Sequence, residues 1–196
     1  MKPPSKPKAS RQQVEVAALR AWKNAGHKAE DFPTIYVFAA RAYYRDSMGN
    51  PGVNDTGIYD DAVFILTPDH FSAWNANTDP SRYGWNAGAG KFMARLKPGV
   101  WSFRRLKHKM SSPKGYMAFG QGSQPVTVER IRQDNTIALT ESGQFGINLH
   151  RGGNNSTSSE GCQTIPPAQW PEFDTTLAAI IGAGRFAYIL TDEPIS

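Results

Sequence analysis

One cysteine, Cys162, stands among 196 residues. That excludes an internal disulfide and any zinc site built from several thiolates, and it leaves Cys162 as either a packed thiol or a reactive one. Acidic residues are missing from the first eleven positions, where Lys2, Lys6, Lys8 and Arg11 carry four of the five net positive charges. The remainder is nearly neutral, so the basic balance points to no specific nucleic-acid partner. Residues 1–11 are expected to form a solvated, disordered tail whose only partner would be an anionic polymer or surface. No apolar run approaches the roughly 18 residues of a transmembrane segment. The N-terminus MKPPSKPKASRQQ also lacks the roughly 7 to 15 apolar residues of a signal peptide, which predicts synthesis in the cytoplasm without an export signal. The glycine-rich stretch 84–90 has no Lys-Ser/Thr after it, against a phosphate-binding loop.

What is present can fold. The hydrophobic fraction of 39% and charged fraction of 20% suit a globular chain, and residues 12–196 are long enough for a single domain with a sizeable core. Ser10 is placed to cap a helix in which Val14, Ala17, Ala18, Ala21 and Trp22 recur at three- and four-residue spacing. A second helix is expected from about 170 to 182, opened by Pro166-Pro167 and carrying Trp170, Phe173 and Leu177 on one face. Between the two, short β-branched and aromatic runs separated by turn residues predict strands near 34–38, 62–66, 100–103, 126–131 and 147–150, with a last one at 186–190. Many short strands with helices only at the flanks argue for a mainly β fold, an antiparallel β-sandwich or open barrel.

Residues 146–164 differ from the rest: a strand ends in His150, a polar Gly/Asn/Ser/Thr loop follows, and Ser159-Glu160-Gly161-Cys162 closes it. A thiol attacks as thiolate and so needs a base nearby, and a glycine beside it lets backbone amides approach the reacting carbonyl. Gly161 and Cys162 are therefore the candidate oxyanion amides. All four histidines, His27, His70, His108 and His150, precede the cysteine, which disfavours papain-like enzymes, where the cysteine comes first. Strand alternation puts Ile147 and Leu149 on one face and Asn148 and His150 on the other, so His150 is the candidate base. His108, in the basic run 104–109, is the rival and is read as a solvated loop histidine. Arg151 is a candidate for binding a substrate carboxylate and Glu160 a substrate amine. The polar loop 74–85, with Tyr83 and Trp85, is a candidate rim on which sugar faces would stack.

This segment resembles the signature of the L,D-transpeptidases, in which a strand ends in histidine, a polar loop follows, and a Ser/Thr-His-Gly-Cys segment delivers the nucleophile. On that resemblance His150 matches the base, Ser159 the Ser/Thr, Gly161 the glycine and Cys162 the nucleophile. Leu96-Lys97-Pro98-Gly99-Val100-Trp101-Ser102-Phe103 is similar to the family's proline-glycine turn into a strand, and the likeness covers about residues 60–170. It implies the L,D-transpeptidase type of β fold and cysteine-dependent acyl transfer or hydrolysis on peptidoglycan stem peptides, with no metal or organic cofactor. It also implies action at the cell wall after delivery by another route. Glu160 stands where the family carries a histidine, no arginine follows in Gln163-Thr164-Ile165, and the loop between His150 and Cys162 is shorter. These departures suit a divergent branch, such as a phage or secreted-effector version, and leave transfer and hydrolysis both open. The alternative is a non-catalytic wall-binding or phage structural module that keeps the fold.

Overall fold

A computed structural model of the chain describes residues 5–81, 92–109 and 112–195. Helix α1 (Arg11–Asn24) starts at Ser10, whose hydroxyl accepts from the Gln13 amide while the Gln13 side chain reaches back to the Ser10 N–H. This reciprocal cap satisfies donors that a helix start leaves unpaired. Val14, Ala17, Ala18, Ala21 and Trp22 form its buried stripe. Helix α2 (Trp170–Ile181) carries proline in its first turn, where a missing N–H costs nothing, and buries Trp170, Phe173 and Leu177. No helix among the described residues is long and apolar enough to cross a membrane.

The strands are β1 (Tyr36–Ala40), β2 (Asp61–Thr67), β3 (His70–Ala76), β4 (Met93–Leu96), β5 (Gly99–His108), β6 (Tyr116–Gly120), β7 (Val126–Ile131), β8 (Ile137–Gly143), β9 (Asn148–Arg151), β10 (Gln163–Ile165) and β11 (Arg185–Thr191). Eight of them form one sheet in the order β10-β9-β6-β5-β11-β1-β2-β3, and β4-β7-β8 form a second. An antiparallel bridge between Asn77 and Thr164 joins the two ends of the large sheet, so it is nearly closed on itself. The chain is thus mainly β with two flanking helices. The sheet is mixed rather than purely antiparallel, because β1 runs parallel to β11 and β9 parallel to β10.

Strand β2 is apolar on both faces, and the structure buries both. Val63 and Ile65 point into the core inside the curved sheet with Trp74, Phe103, Phe119, Leu149 and Tyr188, and α2 covers that core with Phe173 and Leu177. Ala62, Phe64 and Leu66 point outward into a second core with Phe38 and Ile189 beneath the stripe of α1. Residues 5–9, expected to be a solvated tail, lie along this body: Pro7 is buried, Lys6 pairs with Glu172, and the Tyr43 hydroxyl accepts from the amides of Lys8 and Ala9.

Candidate active site

The loop that carries Cys162 is shaped by its own sequence. The Ser159 hydroxyl donates to the Cys162 carbonyl at 2.5 Å and accepts from the Gly161 amide at 2.9 Å, which folds Ser159-Glu160-Gly161-Cys162 into a tight turn ahead of β10. A side chain at Gly161 would collide with the Ala94 carbonyl of β4, so glycine is required here for close approach rather than for an unusual dihedral. The Gly161 amide, expected to hold an oxyanion, is instead consumed by Ser159. The Cys162 amide, on the residue that carries the sulfur, is the remaining candidate donor for a developing negative oxygen.

Parallel pairing sets the relation of cysteine to histidine. Gln163 lies opposite Leu149 and Thr164 opposite His150, so Cys162, Asn148 and His150 share the face away from buried Leu149 and Gln163. The half-buried thiol accepts from the Asn148 amide at 3.4 Å and donates to the Gly146 carbonyl at 3.5 Å. The recorded hydrogen bonds of His150 and of Cys162 do not join the two to each other. His150 Nδ1 lies 2.8 Å from the Arg151 carbonyl; a carbonyl only accepts, so Nδ1 carries the proton and Nε2 keeps its lone pair. The Tyr116 hydroxyl donates to the same carbonyl at 3.2 Å and stands 3.2 Å from Nδ1.

His108 is not the solvated loop histidine expected from its basic surroundings. It ends β5, is 8% exposed, and stacks on His150 with ring centroids 4.1 Å apart at 17°. Its Nδ1 faces the Asn148 side-chain amide nitrogen at 3.1 Å. His150, 4% exposed, is pushed down to about 3, first by burial and then by His108, against the opposing pull of the Arg151 carbonyl. Burial, then Lys109, also lowers His108. Cys162 is pushed up to about 11 by burial and then by the Glu160 carboxylate, opposed by the Asn148 N–H. At neutral pH the site rests as a thiol beside two neutral imidazoles, not as a preformed thiolate–imidazolium pair.

Arg151 is exposed and lays its guanidinium over the Tyr116 ring, 5.3 Å from the centroid. Glu160 is exposed and holds the Ala94 amide through its backbone carbonyl. Tyr83 and Trp85 lie outside the described residues. The first half of the loop read as a polar rim is not a rim: residues up to Ala76 are strand β3, and Asn75, Asn77, Thr78, Asp79 and Ser81 are fully buried. Their polar groups are paired, which is what permits burial. Ser81 binds Ser159 through two bonds to its carbonyl and one from its amide. Asn77 donates to Thr157 at 2.8 Å, and the Thr78 carbonyl accepts from Gln163 at 3.2 Å. Behind them, Asp61 accepts from the Thr78 amide and hydroxyl, and buried Arg41 bonds Thr78 and Asp192 and pairs with Asp79. The sequence signalled Asn148, two residues from His150 on the same face; Tyr116 and this polar platform carried no local signal. Compared with protein-family models, curated proteins and solved structures, the chain matches none.

Proposed function

We propose that the chain is a cysteine-dependent acyltransferase or hydrolase acting on peptidoglycan stem peptides, with a β fold of L,D-transpeptidase type. The observation that carries the chemistry is the shared face of β9 and β10, where a thiol held by the Asn148 amide adjoins a histidine whose Nδ1–H is committed to a carbonyl and whose Nε2 is free to accept a proton. The substrate class rests on the resemblance of 146–164 to L,D-transpeptidases.

In this reading substrate binding turns the thiol from the Gly146 carbonyl toward His150. Proton transfer from Sγ to Nε2 accompanies formation of the C–S bond, so no free thiolate need accumulate against its raised pKa. The Cys162 N–H steadies the oxyanion. The C–N bond then breaks, the leaving amine takes the proton from His150, and an amine or water attacks the thioester, restoring the thiol. An amine gives a cross-link and water gives trimming. The protonated resting thiol and the separate hydrogen bonds of His150 and Cys162 favour the second reading, a wall-binding module without turnover.

Incubation with purified sacculi, followed by mass analysis of muropeptides, separates the two. New cross-links or trimmed stems that vanish in Cys162→Ala support the enzyme. Unchanged muropeptides with retained sacculus binding support the module, and full activity in Cys162→Ala refutes the assignment of the nucleophile.

A further inference from the structure

Resting on the cysteine-enzyme reading above, we infer that His108 is a positioning residue of the site, holding the base ring and the thiol-bearing backbone in one unit. His108 and His150 are not on neighbouring strands. β6 lies between β5 and β9, which puts their backbones roughly 10 Å apart at ordinary strand spacing. Their rings nevertheless stack at 4.1 Å. On this face β6 carries Tyr116, which pairs with His108, followed by the small residues Ala118 and Gly120, over which the two rings can meet. Leu106 pairs with Ala118, and the register of β6 with β9, Phe119 with Leu149 and Gly120 with Asn148, carried one residue further sets Ala118 opposite His150. A side chain at Gly120 would collide with the Asn148 carboxamide oxygen, so that carboxamide lies against the glycine and crosses β6.

The crossing joins two functions. The Asn148 Nδ2 donates to His108 Nδ1 at 3.1 Å, while the backbone N–H of the same Asn148 donates to Cys162 Sγ at 3.4 Å. His108 thus fixes the base by stacking and the sulfur's amide partner by hydrogen bonding. Because its Nδ1 accepts, neutral His108 carries its proton on Nε2; protonation at Nδ1 would set two donors against each other. The stack therefore keeps both rings neutral, and removing His108 lifts one of the influences that depress His150. The other titratable and charged groups around the pair are Lys109 following β5, Tyr116 on β6, Arg151 on β9, and Glu160 and Cys162 ahead of β10.

Three variants separate these roles: His108→Ala removes both, His108→Phe keeps a ring without the acceptor, and His108→Gln keeps an acceptor without the ring. On soluble muropeptides His108→Ala should lose on the order of 10- to 100-fold in kcat with KM little changed, the scale of a displaced catalytic group. Phe and Gln should each restore part of the loss, and the acid limb of the pH–rate profile should move to higher pH in all three. Gly120→Ala should reproduce the kcat loss without altering any titratable group. Wild-type kcat and an unmoved acid limb in His108→Ala, with Cys162→Ala inactive, would overturn the role of His108 while sparing the enzyme reading. Long-range 1H–15N imidazole spectra recorded against pH test the same point without turnover: His150 should keep the Nδ1–H set by the Arg151 carbonyl but begin to protonate at higher pH in His108→Ala, and an unchanged titration there overturns the inference even if the protein proves inactive.

Discussion

The protonation state of Cys162 can be read directly from its rate of alkylation. Burial and Glu160 raise the thiol from 9.0 to about 11, which leaves about a hundredth of the thiolate an ordinary cysteine would hold at any pH below both values. At pH 7.5 the thiolate fraction is about 0.03%, and since only thiolate attacks, iodoacetamide should react about 100-fold more slowly than with an unstructured cysteine peptide. The second-order rate should climb tenfold for each pH unit, without a plateau until pH approaches 11. His150→Ala should leave this curve in place, because no thiolate–imidazolium pair exists at rest to be lost. The same substitution should nonetheless cut turnover by on the order of 10² to 10⁴, the usual contribution of a positioned base. A plateau near neutral pH that His150→Ala abolishes would refute the neutral resting site.

Two further expectations concern the frame. Gly161→Ala drives a methyl against the Ala94 carbonyl, a backbone atom that cannot swing away, so thermal unfolding should show a loss of about 1–3 kcal/mol; wild-type stability would mean that β4 is free to move. Burial, followed by the charge of Asp61 on Asp60 and of Asp79 on Asp61, raises both adjacent carboxyls. Their folded pKa values exceed the unfolded value of about 4, so the stability they contribute is complete below that pH and is lost as pH rises toward and past neutrality. The melting temperature should fall across that range and Asp60→Asn should flatten the fall; an identical slope in the variant would place the titration elsewhere.

Both helices could be read from the sequence because each shows an apolar stripe and a local start signal, Ser10 with Gln13 in α1 and proline in the first turn of α2. Strands β1, β2, β5, β7, β9 and β11 were visible as β-branched or aromatic runs. Strands β3, β4, β6, β8 and β10 were not. His70-Phe71-Ser72-Ala73 has no β-branched residue, β8 is largely exposed and polar, and β10 is only three residues long, so each is held by its neighbours rather than by its own pattern. Missing β6 had a consequence at the site. Without the pairing of His108 with Tyr116, nothing local separates a buried histidine from a basic loop. The face of His150, by contrast, followed from strand alternation, which is local, whereas that of Cys162 depends on the pairing of β10 with β9.

The polar segment 75–81 shows why composition misleads beside Cys162. Read alone it belongs on the surface, yet it is buried because many of its partners come from elsewhere in the chain: Arg41 after β1, Asp61 opening β2, Thr157 and Ser159 in the loop before Cys162, and Gln163 in β10. An apolar segment would pack the same space but would not specify the loop's register, because hydrophobic contact lacks direction, whereas each hydrogen bond fixes one donor to one acceptor. The loop from 152 to 162 has almost no apolar residue to anchor it, and Ser158 adopts a left-handed φ of 56° that a free loop would relax. The buried Arg41–Asp61–Asp79 group therefore acts at a distance on Cys162. It holds Thr78, Thr78 holds Gln163, and Gln163 follows Cys162 directly, so the fold pays for buried charge with a thiol held in one place.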